Sequence, residues 1–242
     1  GRSVAANGDV DGDGQSDLLL GAPAVDHQDE TNTGAVFLVR GPVDPNLTLN
    51  QQAVALFGEA AGSKPDLIQG DGAGFSVDIA GDVNGDGFDD ILVGAPYHPS
   101  PEDVHGPDGP GASYLVYGPQ IVSGDLSTSD SKFVGEEPGD LAGYSVAGAG
   151  DINGDGFDDM LIGSKFNDTS TSSVNSGAVY LIFGSNDDGG GEMEISLTIA
   201  DAKFHGSSNS EWAFNGRPLG DLDFDGLSDF AIGAYYNFLV GS

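Results

Sequence analysis

An acidic nonapeptide of the plan D-x-[DN]-x-D-G-x-x-D occurs four times along the chain, at Asp9–Asp17, Asp82–Asp90, Asp151–Asp159 and Asp221–Asp229. Its first aspartates stand 73, 69 and 70 residues apart. Each copy runs straight into an apolar stretch ending in Gly: DLLLGAP, DILVGAP, DMLIGSK and DFAIGAY. Repetition at so regular a period means one supersecondary unit packed against copies of itself, so the chain folds as a modular array.

Positions 1, 3, 5 and 9 of the nonapeptide carry Asp or Asn, and the backbone carbonyl at position 7 adds a further oxygen, enough to wrap one hard cation. Gly14, Gly87, Gly156 and Gly226 hold position 6, where the sharp turn needs a residue that tolerates positive φ. The candidate ligands of the first loop are Asp9, Asp11, Asp13, the Gln15 carbonyl and Asp17. Those of the second are Asp82, Asn84, Asp86, the Phe88 carbonyl and Asp90. The third offers Asp151, Asn153, Asp155, the Phe157 carbonyl and Asp159, and the fourth Asp221, Asp223, Asp225, the Leu227 carbonyl and Asp229.

Calcium, up to four ions, is the expected cofactor. It accepts about six to eight oxygens in flexible geometry, whereas magnesium keeps a strict octahedron with several waters. Zinc or copper would want His or Cys, which the loops lack. A single Asp-Gly cluster is usually a solvated turn, but four copies with every ligand position filled argue against that reading. An EF-hand would need a bidentate Glu at position 12. Here that position is Leu20, Val93, Ile162 or Ile232, each inside the apolar stretch, so the loop connects two β-strands.

Aligning the copies gives a unit of about 70 residues. It opens on a Gly-aromatic strand (Gly74-Phe75-Ser76-Val77, Gly143-Tyr144-Ser145-Val146, more loosely Ala213-Phe214-Asn215-Gly216). The acidic loop and second strand follow, then a variable polar loop. A third strand comes next, at Ala35 to Val39, Ser113 to Tyr117 and Ala178 to Phe183, and a short fourth strand ends in Gly. No stretch carries a helical apolar period, so helix is expected to be nearly absent. Short strands in fours, joined by tight turns, match the all-β architecture of a β-propeller built from blades of four antiparallel strands. The chain reads as one segment of about three and a half blades, at residues 1–58, 74–135, 143–206 and 213–242, with Phe238-Leu239-Val240-Gly241 as a possible further strand. A closed ring takes roughly 4–8 blades, so further blades or a second copy should complete it.

Net charge is −32, from 39 carboxylates against 7 basic side chains, which argues against a nucleic-acid partner. The proposed metal-facing positions hold 14 of those carboxylates. Four divalent ions would bring the balance to about −24. There are no cysteines, so core packing and metal must supply the stability. No apolar run approaches the roughly 18 residues of a membrane span, and direct membrane insertion is not expected. The opening Gly1-Arg2-Ser3-Val4-Ala5-Ala6 parallels the interior of a repeat and reads as a piece of a longer protein.

Gly74-Phe75, Asp82 to Asp90 and Val93-Gly94-Ala95-Pro96 resemble the FG-GAP repeat of integrin α-subunit propellers and their bacterial relatives, and the resemblance covers nearly the whole chain. It implies a seven-bladed ring with calcium between strands 1 and 2 of a blade. Phe224 departs from the Gly at position 4 of the other copies, and Gly163-Ser164-Lys165 and Gly233-Ala234-Tyr235 replace Gly-Ala-Pro. The expected function is an extracellular or cell-surface adhesion or ligand-binding module. The alternative is an accessory, non-catalytic region of a larger secreted enzyme, such as a polysaccharide-degrading one. No residues form a recognised nucleophile motif, and no catalytic site is expected.

In an antiparallel blade the 1–2 and 3–4 connections share one face and the 2–3 and 4–1 connections the other. A protein or glycan ligand is therefore expected opposite the acidic loops, with Tyr97, His98, His105, His27 and Phe166 as the side chains to test. The strand aromatics Phe37, Tyr114, Tyr117, Tyr180, Phe183 and Phe204 read as packing between blades. Glu192 and Glu194 read as a solvated strand edge, and Asn46 and Asn167 match the glycosylation acceptor pattern.

Overall fold

Short apolar runs bounded by Gly, Asp and Ser become strands, and the main strands of each repeat pair antiparallel in chain order. The computed structural model describes residues 1–27, 32–46, 48–59, 70–99, 109–168, 175–186, 194–207 and 211–235. The first sheet runs β1 (Ser3–Gly8), β2 (Asp17–Ala22), β3 (Ala35–Val39) and β4 (Ala53–Phe57), all antiparallel. The second repeats the order with β5 (Ser76–Gly81), β6 (Asp90–Ala95), β7 (Ala112–Val116) and, after a two-residue β8 (Gly124–Asp125), β9 (Ser131–Val134). The third has β10 (Ala142–Gly150), β11 (Asp159–Ser164), β12 (Ala178–Ile182) and, after a short β13 (Glu194–Ser196) that pairs elsewhere, β14 (Ala202–His205). The hairpin β15 (Ala213–Gly220) and β16 (Asp229–Ala234) begins a fourth. The chain is thus all-β, with about three and a half antiparallel blades, and none of the described sheets closes on itself. Helix among the described residues amounts to one turn at Leu49–Gln52 and two 3-10 turns. Phe238 to Gly241 lie outside the described residues.

The second strands of the two inner blades, β6 and β11, are buried at every position because both of their faces are covered, which is why they read as apolar runs behind the loop Asp. The cores lie between successive sheets. Leu19, Val36 and Leu38 pack with Val77, Val93 and Tyr114. Leu92, Leu115 and Phe133 pack with Val146, Ile162 and Tyr180, and Leu161 and Val179 with Phe230 and Ile232. Burial stabilises by roughly 1.5–3 kcal/mol per large aliphatic side chain. Each core is shared, so a blade depends on its neighbour for that energy.

Two devices across the blade boundaries are not evident from the strand pattern. The connection between strands 3 and 4 of one blade lends a short parallel strand to the outer edge of the blade before it: β8 joins β4, and β13 joins β9. Glu194 lies on β13, the edge strand of that sheet, and is exposed as the sequence suggests, with its carboxylate 3.1 Å from Lys132 Nζ; Glu192 lies outside the described residues. Second, the Gly closing strand 2 abuts the backbone that enters the next blade. A Cβ on Gly94 would overlap the Gly143 carbonyl, and one on Gly163 the Phe214 carbonyl. The fourth blade enters with one residue fewer. Ala142 to Ser145 cross one step of β11, whereas Ala213 to Asn215 cross the same step of β16, which is why no Gly-aromatic pair is found there.

Candidate metal centres

The four acidic loops are the hairpin connections β1–β2, β5–β6, β10–β11 and β15–β16, and all four fold alike. The first Asp turns inward and accepts amides from across its own loop. Asp9 Oδ2 takes the Gly14 N–H at 2.7 Å, Asp82 Oδ2 that of Gly87 at 2.9 Å, and Asp151 and Asp221 those of Gly156 and Gly226, each at 3.0 Å. The fifth-position Asp accepts from position 7: Asp13 from Gln15, Asp86 from Phe88, Asp155 from Phe157 and Asp225 from Leu227. The third-position oxygens of Asp11, Asn84, Asn153 and Asp223 accept the position-5 amides. Carboxyl oxygens of Asp9, Asp11 and Asp17, and of Asp221, Asp223 and Asp225, all lie within 4.8 Å of one another. Ligands of one calcium ion can lie no further apart than about twice the calcium–oxygen distance of ~2.4 Å, so these oxygens fit that ion.

The ninth-position Asp joins the loop to the rest of the blade. Asp17, Asp90 and Asp159 are buried. Asp90 Oδ2 accepts the Val83 N–H at 2.9 Å within its loop, and Oδ1 accepts the Gly118 N–H at 3.0 Å from the end of strand 3. Asp17 does the same with Val10 and Gly41, and Asp159 with Ile152 and Gly184. In the fourth loop Asp229 Oδ2 accepts the Leu222 N–H. Burial above all, with the charges of Asp86 and Asp82 adding to it, pushes the Asp90 carboxyl up to about 7 against the pull of the two amides. So much negative charge around a buried carboxylate calls for a cation, a second indication that these oxygens suit a divalent ion. The same contacts put the 3–4 connections on the face of the acidic loops.

Some participants carry no signal in the nonapeptide pattern. Arg40 Nε lies 3.3 Å from Asp11 Oδ2, and its Nη2 donates to the carbonyls of Pro119 and Ile121 in the next blade, so the first loop has a resident cation beside it. Asp89 and Asp158, at the unassigned position 8, reach across to neighbouring loops.

The opposite face gathers aromatic rings and two cations. Phe75 and Tyr144 pack tilted at a centroid spacing of 4.7 Å, Tyr144 and Phe214 edge to face at 5.1 Å, and the Arg2 guanidinium lies 3.5 Å from the Phe75 centroid. Lys165 Nζ sits 4.5 Å from the Tyr144 centroid and 4.9 Å from those of Phe166 and Trp212. A cavity of about 210 Å³ opens between Arg2, Pro23, Asn32, Phe75 and Tyr97. Tyr97 and Phe166 are therefore half-buried members of this surface. His27 stacks on Phe57 at 3.7 Å, and His105 lies outside the described residues.

Two residues singled out from sequence are not at the surface. His98 is buried, with Nδ1 3.1 Å from Tyr114 Oη and 3.3 Å from Asp71 Oδ1, because its loop folds back over strand 3. Asn167 is buried in the equivalent place, donating to Asp140 Oδ2 at 2.8 Å and Tyr180 Oη at 3.0 Å, so glycosylation there is sterically closed. Tyr114 and Tyr180 pack between blades and also carry these polar contacts. Phe204 is partly exposed and edges onto Phe230.

The FG-GAP repeat matches residues 1–39, 73–116 and 142–182. Integrin alpha pat-2 of Caenorhabditis elegans is 29% identical over 241 residues, covering 95% of this chain and 17% of the relative. Integrin alpha-7 of Homo sapiens is 33% identical over 168 residues, 68% of this chain and 12% of the relative. Integrin alpha-PS2 of Drosophila melanogaster is 26% identical over 230 residues, 94% of this chain and 15% of the relative. The chain thus spans less than a fifth of the length of each of these relatives. Repeat pattern, blade architecture and relatives agree: the chain belongs to the FG-GAP repeat family.

Proposed function

We propose that this chain is a calcium-bound propeller segment of a cell-surface or extracellular protein, serving as an adhesion or ligand-binding module without catalytic activity. The observation that carries the reading is the fourfold recurrence of one inward-turned oxygen cage at the same hairpin of every blade. Asp9, Asp11, Asp13, Asp17 and the Gln15 carbonyl would hold one ion, and the corresponding residues of the other loops would hold up to three more. A bound ion supplies positive charge that ties the loop's carboxylates to one centre. The residues themselves position that centre: position 1 closes the turn, and position 9 fastens it to strand 3. Integrin alpha relatives favour the adhesion reading over an accessory region of a secreted enzyme.

A protein or glycan ligand would bind the face opposite the metal loops, around Tyr97, Phe166 and the cations of Arg2 and Lys165. A net charge of −32 makes nucleic acid an unsuitable partner. No helix among the described residues is long and apolar enough to cross a membrane. Further blades, or a second copy, would complete the ring.

Thermal unfolding with calcium and then with chelator tests the metal reading. A ligand that binds only the folded state stabilises by about 2.7 kcal/mol per site at 100 times its Kd, and an unchanged midpoint would overturn it. Tyr97→Ala and Phe166→Ala should weaken attachment to immobilised matrix proteins or glycans while leaving the calcium-dependent midpoint in place. Attachment unaffected by both would remove this face from the proposal.

A further inference from the structure

The first and second metal loops are held in shape by the blade that follows them. Asp89, at position 8 of the second loop, accepts the N–H of Asp9, position 1 of the first loop, on Oδ2 at 2.7 Å, and its own N–H donates to the Asp9 carbonyl at 3.4 Å. Asp158, at position 8 of the third loop, repeats this on Asp82 of the second, at 2.9 and 3.0 Å. The glycine before each first Asp leaves room for the incoming carboxylate: a Cβ on Gly8 would crowd Asp89 Oδ2, and one on Gly81 would overlap the Asp158 carboxylate. The position-7 side chain adds a second contact in the same direction, since Phe88 lies over Gly12 and Phe157 over Gly85, both at position 4. At the last boundary Ser228 replaces the carboxylate. Its N–H still donates to the Asp151 carbonyl at 2.9 Å, but among the described residues no carboxylate takes the Asp151 N–H.

We propose that Asp89 and Asp158 are positioning residues for the metal site of the preceding blade, so that cation binding is coupled from each blade to the one before it. The first ligand of a loop pivots on its own backbone. Clamping that backbone on both its N–H and its C=O reduces the freedom lost when the carboxylate engages an ion. The clamp also places an extra negative charge beside the preceding loop, not in its coordination sphere. The first and second loops receive the full clamp and the third only half of it, so the third should bind calcium more weakly than the second, with which it shares its Asp/Asn pattern. This inference rests on the calcium reading above.

Calcium titration followed by hydrogen-exchange mass spectrometry, reading peptides over residues 9–17, 82–90 and 151–159 separately, tests it on this chain. Asp158→Ala should raise the calcium midpoint of the 82–90 peptide by roughly ten- to a hundredfold, the value of one hydrogen bond to a charged group. The 151–159 peptide, which contains the substitution, should keep its midpoint. Asp158→Asn, which retains an acceptor, should restore most of the shift. Ser228→Asp should tighten the 151–159 loop, a gain that a misfolded variant could not produce.

A shift confined to the substituted loop, or an Asn variant as weak as the Ala variant, would overturn the positioning role. If calcium protects none of the wild-type peptides, the calcium reading itself fails. That outcome is distinct from protected loops that do not communicate.

Discussion

Asn167 stands in the third blade where His98 stands in the second, and each reaches the hydroxyl of a tyrosine on strand 3, Tyr180 at 3.0 Å and Tyr114 at 3.1 Å. Asp140 and Asp71 complete the two sets, and in each blade a lysine pairs with a glutamate nearby: Lys203 with Glu136, Lys132 with Glu59. At this one position of the polar core the second blade carries a titratable imidazole and the third an amide that does not titrate.

Burial pushes the His98 imidazolium down, but the hydrogen bond and charge of Asp71, with Glu59 behind it, outweigh both burial and the opposing Lys132, and the group ends above its usual 6.5. A histidine raised on folding stabilises fully below its unfolded pKa, and that contribution is lost as pH rises through the folded one. The stability difference between wild type and His98→Asn should therefore shrink from about pH 6.5 upward. Urea unfolding at intervals between pH 5.5 and 8.5 measures it, and a difference that grows with pH would contradict the assignment.

Asp86 and Asp90 should separate metal binding from folding. Asp86 is exposed and serves its own loop, so Asp86→Ala should abolish much of the calcium-induced stabilisation while changing the metal-free protein little. Asp90→Ala orphans the N–H groups of Val83 and Gly118 in the interior and should cost about 2–4 kcal/mol even in chelator. Denaturant midpoints with and without calcium give both numbers for each variant.

Gly94 and Gly87 should fail for different reasons. A methyl group on Gly94 collides with the Gly143 backbone of the next blade, and overpacking of that kind costs about 1–3 kcal/mol with a shift of both chains. Gly87 has open space around it but sits at φ +92°, so Gly87→Ala should cost roughly 1–2 kcal/mol through backbone strain alone. Exchange protection at the boundary between the second and third blades should fall in Gly94→Ala and hold in Gly87→Ala.

Phe224 adopts φ +64° and is 90% exposed, so it pays for a left-handed backbone without gaining burial. Phe224→Gly should relieve most of that strain, less the entropy of a freer unfolded chain, for a net gain of about 0.5–1 kcal/mol in local opening. Slower amide exchange across Asp221 to Asp229 is the expected readout, and faster exchange would show that the ring contributes contacts of its own.

The repeat period, the strand order and the inward set of loop oxygens were legible in the sequence because each depends on residues a few positions apart. Leu20, Val93, Ile162 and Ile232 ruled out an EF-hand for the same reason: they belong to β2, β6, β11 and β16, immediately beyond their loops. The packing of Tyr114 and Tyr180 between blades was legible too, but the polar contacts that join distant segments were not. The nonapeptide pattern gave Asp89 and Asp158 no role, His98 read as a surface ligand and Asn167 as a glycosylation site, because each meets its role only against another segment. For Asp89 that partner is 80 residues away, and for Asp158 it is 76. Local sequence specifies the hairpin and the atoms it can offer a cation. Which of those atoms are clamped, buried or left open to a partner is decided by the tertiary structure, because the groups that meet them come from strand 3 and from the neighbouring blade, far away in sequence.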